Sequence, residues 1–304
     1  MEQAEHGEPI VAGIELGGTK TIAVVGRGRE IVDRVTLPTT TPDATLQACA
    51  ARLRVWRETY RPVALGVASF GPVALNARYG ERGRLLPTPK AGWFGTDLLT
   101  PLHAALPVPT VLHTDVTAAA LAEGRWGAAR DVRDFVYITI GTGVGMGIVA
   151  GGRPITGRMH PEAGHLRVRR TTGDPFPGVC PFHGDCLEGL ISGPAIAART
   201  GMSAGLLPAD HPAWLPVADA AAEGIASLLM TLACERIVIG GGVGLGRPHL
   251  LDLVRAAIPA KLAGYLPGID DGQLHAMIVH AGLGKDAGPL GALALAQTDI
   301  RILE

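Results

Sequence analysis

No stretch of about 18–20 uncharged apolar residues occurs in this chain, so no segment has the run expected of a membrane span. The first residues, Met1-Glu2-Gln3-Ala4-Glu5-His6, are acidic and lack the basic and apolar regions of a secretory leader. The expected compartment is therefore cytoplasmic, with no membrane partner. No basic stripe is present either. Lys+Arg total 27 against 28 Asp+Glu, a net charge of -1, which argues against nucleic acid as a partner. Lysine occurs only at 20, 90, 261 and 285. The four cysteines, Cys49, Cys180, Cys186 and Cys234, are few, and the cytosol disfavours structural disulfides. The close pair Cys180 and Cys186 calls for another explanation.

What is there is 304 residues with 47% hydrophobic content, enough for one large core or two moderate ones. Ile10 to Val25 reads as strand, Gly turn, strand, the turn being Gly17-Gly18-Thr19-Lys20. An amphipathic helix is expected over Asp43 to Tyr60, a short buried strand over Val63 to Ala68, and a loop at Ser69-Phe70-Gly71-Pro72. Residues 76–97 read as an irregular surface loop. A strand over Thr110 to His113 leads to Asp115 and a helix from Ala118 to Trp126. The opening pattern then returns: strand Phe135 to Ile140, turn Gly141-Thr142-Gly143-Val144-Gly145, strand Met146 to Ala150. Residues 151–190 are loop-rich. A helix over Ala218 to Ala233, a strand over Arg236 to Ile239, the run Gly240-Gly241-Gly242-Val243-Gly244 and a closing helix over Ala287 to Gln297 complete the pattern. Interleaved strands and helices, with one hairpin signature used twice, point to a duplicated α/β domain with a cleft between the halves.

Three Gly-rich turns each follow a strand. Glycine lets backbone N–H groups approach an anion with no Cβ in the way, so three such turns suit a polyphosphate, although each could be a plain tight turn. The Walker A pattern fails, because Thr19 separates Gly18 from Lys20. The dinucleotide pattern breaks at Met146 and at Leu245. Asp115 stands at a strand end, where α/β proteins place their chemistry, and could take a proton from an attacking hydroxyl. It could equally cap the helix that follows.

Residues 180–186 read Cys-Pro-Phe-His-Gly-Asp-Cys. Cys180, His183 and Cys186 offer three closely spaced zinc ligands, and one upstream histidine, His160 or His165, would complete a tetrahedron. The alternative is two free thiols and unrelated histidines. Glu162 and Glu188 bracket this loop, as sugar-hydroxyl acceptors or as solvated charge. Cys49 and Cys234 fall in apolar contexts and read as buried small residues.

Taken in order, these segments resemble the ROK sugar kinases. Gly13-Ile14-Glu15-Leu16-Gly17-Gly18-Thr19-Lys20 is similar to the first phosphate motif, and Thr114 to Ala120 to the catalytic segment. Ile140 to Gly145 is similar to the second phosphate motif, Glu162-Ala163-Gly164-His165 to the Glu-x-Gly-His signature, and Gly240 to Val243 to the adenosine-side loop. The zinc segment, Ser69 to Val73 and Thr88 to Trp93 resemble the bacterial fructokinase branch.

The resemblance implies an actin-like ATPase fold: two RNase H-type domains, 1–116 completed by a C-terminal helix 287–304, and 117–286 with the zinc loop, closing on a central cleft. It implies ATP-dependent phosphorylation of a hexose, D-fructose to fructose 6-phosphate (EC 2.7.1.4), with glucose, mannose or N-acetylmannosamine as alternative substrates. A non-catalytic sugar-binding regulator is a further alternative. Family repressors carry a DNA-binding segment ahead of the first motif, and only about a dozen residues precede Gly13. Asp115 would be the general base. Gly17, Gly18, Thr19, Lys20, Gly141, Thr142, Gly143, Gly240, Gly241 and Gly242 would hold ATP. Glu162, His165 and Glu188 would line the sugar site, and His165 would join Cys180, His183 and Cys186 around structural Zn²⁺. ATP would bring Mg²⁺, and a homodimer would be common for the family. Two positions depart: Glu15 stands where many members have Asp, and Thr117 where they have Asn. Thr keeps a hydroxyl but lacks the amide donors, so its expected consequence is in sugar preference.

Overall fold

The computed structural model describes residues 8–298; the acidic start Met1 to His6 and the last part of the expected helix 287–304, residues 299–304, lie outside them. The chain forms two compact units. One comprises the chain up to Arg125, Ile155–His160 and the chain from Asp286 onward; the other comprises Trp126–Pro154 and Pro161–Lys285.

The first unit is built on five strands: β1 (Ile10–Leu16), β2 (Lys20–Arg27), β3 (Glu30–Pro38), β4 (Leu65–Ser69) and β5 (Thr110–Thr114), in the order β3-β2-β1-β4-β5. β1 pairs antiparallel with β2 and parallel with β4, so its backbone is saturated on both edges and both faces are covered. That is why β1 reads as an almost continuous apolar run. β3 lies at an edge and alternates between covered and open positions. Sequence periodicity does not single β3 out, because one inward position is Asp33, whose Oδ2 accepts the Trp56 Nε1–H at 2.8 Å.

Helix α1 (Pro42–Thr59) starts where Thr41 Oγ1 accepts the Ala44 N–H, with Pro42 in its first turn. With α2 (Leu99–Ala105) it covers one sheet face through Leu46, Leu53, Trp56 and Leu102. The segment 76–97 has no helix or strand, as its Gly and Pro content predicts, but it is not simply surface. Leu85 and Trp93 are fully buried in the same core. Trp93 alone would recover about 2–3 kcal/mol of burial, which an irregular chain cannot forgo.

Helix α3 (Asp115–Trp126) and the closing helix (Ala287–Ala296) cover the other face. The closing helix is apolar all round and buried along its whole length, as its Ala, Leu and Gly sequence dictates. It meets its neighbours backbone to backbone. A Cβ on Gly66 would lie 1.9 Å from the Ala292 carbonyl oxygen, one on Gly13 would lie 2.8 Å from Ala292 Cβ, and one on Gly291 would lie 2.5 Å from the Ala118 carbonyl carbon.

The second unit repeats this plan. β6 (Phe135–Ile140) and β7 (Val144–Ala150) form a hairpin extended by β8 (Arg153–Pro154). β9 (Arg236–Gly240) and β10 (Ile278–His280) add in parallel, giving the order β8-β7-β6-β9-β10. Three antiparallel strands followed by two parallel ones is the arrangement of the first sheet, so the duplication read from the two hairpins extends to the whole sheet. Short helices α4 (Leu187–Ile191) and α5 (Gly193–Thr200) precede the long α6 (Trp214–Leu232). By length and composition α6 could cross a membrane. Here it packs against α4 and a later helix, α8 (Pro248–Leu262). The run from Gly240, expected as a turn, instead ends β9 and forms a one-and-a-half-turn helix, α7 (Gly241–Gly246). Gly241 makes this possible: it has φ +82°, and a Cβ there would lie 2.4 Å from the Ile140 carbonyl oxygen. Helix α9 (Asp271–Met277), capped by Asp270 Oδ1 on the Gln273 N–H, leads into β10.

Gly66→Ala is expected to destabilise the protein by about 1–3 kcal/mol or more, because neither β4 nor the closing helix can retreat. Urea melts monitored by circular dichroism test this. A variant as stable as the parent would mean that the closing helix does not sit this close to β4.

Candidate functional site

In the first unit, the turn between β1 and β2 closes with the Gly17 N–H donating to the Lys20 carbonyl at 3.1 Å. A Cβ on Gly18 would meet nothing within 4 Å. The glycine there is not required by crowding within the protein, and its absent side chain leaves the turn's backbone open. Lys20 is exposed at the end of the turn.

Asp115 is the first residue of α3. The two alternatives for it, cap or chemistry, are separated by Thr114. Thr114 Oγ1 accepts the Thr117 N–H at 3.3 Å and donates to Thr117 Oγ1 at 2.9 Å, so the threonine caps the helix. Asp115 Oδ1 accepts the neighbouring Val116 N–H at 2.8 Å. Burial among protein atoms pushes its pKa up to about 6, against the opposing pull of the backbone N–H groups. Thr117, the departure from Asn, spends its hydroxyl on Thr114 and is buried.

Glu15, at the end of β1, is the second unusual carboxylate. Burial first, and the nearby Asp115 second, raise its pKa to about 7, while Lys20 and Arg34 pull the other way. Its Oε2 is buried without a hydrogen-bond partner. Gly288 of the closing helix makes room for it, since a Cβ at 288 would lie 1.9 Å from Glu15 Oε1. Arg34 is held beside it by Asp286 at 2.6 Å. Neither Glu15's orphaned oxygen nor Thr114's cap was legible in sequence, because both depend on which groups fold against them.

In the second unit, two of the Gly-rich segments come together. A Cβ on Gly141 would lie 3.8 Å from the Gly242 backbone nitrogen, and one on Gly242 would meet nothing within 4 Å. The β6–β7 turn closes with the Gly141 N–H donating to Gly143 O at 2.9 Å, and Gly141 O accepts from Gly193 N–H at 2.7 Å. Thr142 is exposed at its tip. Glu188, in the first turn of α4, braces the same turn: its Oε2 accepts the Val144 N–H at 3.0 Å. Its Oε1 lies 4.0 Å from His165 Nδ1. Glu162 is exposed and precedes the single helical turn Ala163–His165, which fits against β7 because Gly164 has no side chain; a Cβ there would lie 1.8 Å from Val144 O.

His165, Cys180, His183 and Cys186 converge, their ligand atoms all within 4.8 Å of one another. Cys180 Sγ lies 3.6 Å from His165 Nδ1 and 3.7 Å from His183 Nδ1, and His165 Nδ1 lies 3.5 Å from Cys186 Sγ. Zinc bonds of about 2.3 Å to sulfur and about 2.0–2.1 Å to nitrogen give a tetrahedral S···N edge of about 3.6 Å. The loop is folded for this by a tight turn in which Cys180 and Gly184 exchange both backbone hydrogen bonds. His160 does not join the cluster. It lies in the first unit, where its Nε2 accepts the Val73 N–H at 3.1 Å. Cys49 and Cys234 are buried, with thiols pushed up by burial to about 12 and about 11, as expected of small core residues.

Two five-stranded sheets of one topology, each opening on a hairpin with a Gly turn, define the class of actin-like ATPase folds. The ROK family model matches residues 11–299, and the chain belongs to the ROK family. It is 38% identical over 296 residues to a fructokinase from Pediococcus pentosaceus, covering 96% of this chain and 99% of that protein. Among solved structures it is similar to a ROK hexokinase from Thermus thermophilus (TM-score 0.79, 28% identity, 96% of this chain and 99% of that one). It is also similar to a ROK family glucokinase from Streptomyces griseus in complex with glucose and AMPPNP (TM-score 0.76, 27% identity, 95% and 99%).

A pH dependence of stability follows from the two carboxylates. Their folded pKa values, about 6 and about 7, lie above the ordinary 3.8 and 4.5. The folded protein therefore holds these protons more tightly than the unfolded chain. The associated stability is fully present below about pH 4 and is lost as pH rises through 6 and 7. Asp115→Asn, which removes one buried charge, is expected to stabilise the ligand-free protein by about 2 kcal/mol at pH 8, with the gain fading toward pH 4. Melts at both pH values measure this. No gain at pH 8 would show that the carboxylate is not strained by burial.

Proposed function

We propose that this chain is an ATP-dependent hexose kinase that converts D-fructose to fructose 6-phosphate. The observation that carries this reading is Asp115, a carboxylate at the end of β5 that is relieved of capping and made more basic by burial. The similarity to a fructokinase over nearly the whole chain supports the sugar. The Streptomyces griseus glucokinase holding glucose and AMPPNP supports the pairing of a sugar with an adenine nucleotide.

In this reading the 6-hydroxyl oxygen of the sugar attacks the γ-phosphorus of ATP and its proton passes to the Asp115 carboxylate, while ADP leaves. A base with a pKa near 6 is better matched to this task at neutral pH than an ordinary aspartate. The Gly17–Gly18 turn and the glycines at 141–143 and 240–242 present backbone N–H groups to phosphate and nucleotide. Glu162, His165 and Glu188 bind sugar hydroxyls, with Glu188 also bracing the Val144 N–H. Glu15 fits a role toward Mg²⁺, because its buried Oε2 lacks a partner and its charge is disfavoured without a cation. Mg²⁺ brought with ATP supplies neutralisation of charge on the phosphate oxygens. His165, Cys180, His183 and Cys186 fit a structural Zn²⁺, since their separations match a tetrahedral edge. The cross-link would fix the loop that carries His165 and leads into Glu188. A different hexose is the second reading, and the observation favouring it is Thr117, whose hydroxyl is committed to Thr114.

ADP release from Mg-ATP with fructose, glucose, mannose, N-acetylmannosamine or no sugar tests the function. The fastest turnover is expected with fructose, and Asp115→Asn is expected to lower it by about 10²–10⁴-fold in a folded protein. A D115N variant near parental turnover would overturn the base assignment. Turnover on another hexose alone would keep the kinase and move the specificity.

Metal analysis of the purified protein is expected to find about one zinc per chain. Cys186→Ser should lose that metal and melt at a lower temperature. A folded parent without metal, melting together with C186S, would show that the cluster is not a metal site.

A further inference from the structure

Lys90 lies in none of the segments that resemble phosphate or sugar motifs, yet its side chain is tied to one of them. Its Nζ donates to the Gly18 carbonyl and lies 3.5 Å from the carbonyl of Thr39. Both acceptors belong to one structure, because the Thr39 N–H donates to the Thr19 carbonyl at 3.1 Å. The ammonium also sits 5.9 Å from the centre of the Trp93 ring. Trp93 is fully buried, donates Nε1–H to the Thr40 carbonyl at 3.0 Å, and packs edge-on against Phe70 with ring centres 5.2 Å apart. The β1–β2 turn, the chain after β3 and the irregular segment around 88–93 thus converge on one cation.

The placement of that cation has an electrostatic consequence. The carbonyl it binds, that of Gly18, belongs to the same planar peptide as the Thr19 N–H, and in a trans peptide the two point in opposite directions. An ammonium on the oxygen polarises the peptide and makes the N–H on the far side a stronger donor. The turn around Gly18 is open, with nothing within 4 Å of where a side chain would start. Ammonium, peptide and N–H therefore form a short chain of aligned charge within the turn. A neutral side chain at 90 would leave the turn both untethered and less positive.

We propose that Lys90 is a positioning residue for the nucleotide, holding the Gly17–Gly18 turn in its phosphate-binding shape and strengthening its N–H donors through the Gly18 peptide. This rests on the reading of that turn as a phosphate site. It predicts that the cation serves the nucleotide and not the sugar, although residue 90 lies outside every phosphate motif.

The test is steady-state kinetics of the full chain with Lys90→Met and Lys90→Arg, varying Mg-ATP at saturating fructose and fructose at saturating Mg-ATP. K90M is expected to raise the KM for Mg-ATP about tenfold and to leave the KM for fructose within about twofold, since it removes only charge-assisted contacts at the turn. K90R, which keeps the charge and can reach the same carbonyls, is expected to stay within about threefold of the parent. A general loss of structure would move both KM values and would not be rescued by arginine. If K90M does not fold, Lys90→Gln, which keeps donors without charge, takes its place. An unchanged nucleotide KM, an equal rise in both KM values, or K90R no better than K90M would overturn the proposal. A parent protein that turns over no hexose would instead remove the kinase reading itself.

Discussion

The first unit depends on the closing helix touching its neighbours with backbone rather than side chains. Gly13, Gly66 and Gly291 are the contact points, and at Gly66 a single Cβ would overlap the Ala292 carbonyl oxygen at 1.9 Å. Close approach of this kind cannot be adjusted by choosing another rotamer, so it fixes the helix against β1, β4 and α3 together. Two consequences reach the chemistry. Gly288, one turn earlier, leaves the space that Glu15 fills, and Gly291 sets the position of Ala118, three residues beyond Asp115. The two carboxylates are held by the same packing that forms the core.

That packing creates an energetic conflict. Glu15 and Asp115 are both buried enough to resist ionisation, and the charge of Asp115 further disfavours that of Glu15. A protein selected for stability alone would place neutral groups at these positions. Cations relieve the conflict: Lys20 and Arg34 act on Glu15, and Arg34 is itself fixed by Asp286. The arrangement makes physical sense where a further cation and an anionic ligand complete the balance. The second unit solves a different problem. Its loop between β8 and α4 is poor in apolar residues, and the side chains of His165, Cys180, His183 and Cys186 gather there.

Much of this was legible in the residues. The two strand–Gly turn–strand signatures announced the duplicated hairpins, and the tight Cys-x2-His-x2-Cys spacing announced the ligand cluster. Other features were hidden for identifiable reasons. β3 was masked because Asp33 occupies an inward position that makes sense only once Trp56 arrives to donate to it. The segment 76–97 reads as surface because Gly, Pro and Arg dominate it, while Leu85 and Trp93 show their burial only when the core they enter exists. The run from Gly240 looked like a turn because glycine disfavours helix, and packing against Ile140 overrode that preference.

By itself the sequence determined the class of fold, the order of its motifs and the types of side chain available for chemistry, because these depend on local pattern and spacing. Spacing alone left His160 and His165 both open, and the resemblance named His165; the folded chain supplies the physical reason, since His160 folds into the first unit and accepts from Val73 while His165 lies with the cysteines. Tertiary structure alone decided that Thr114 rather than Asp115 caps α3. Lys90, distant in sequence from Gly18, bears on the first glycine turn for the same reason: hydrogen bonds between remote residues are set by the folded backbone, and no local pattern encodes them.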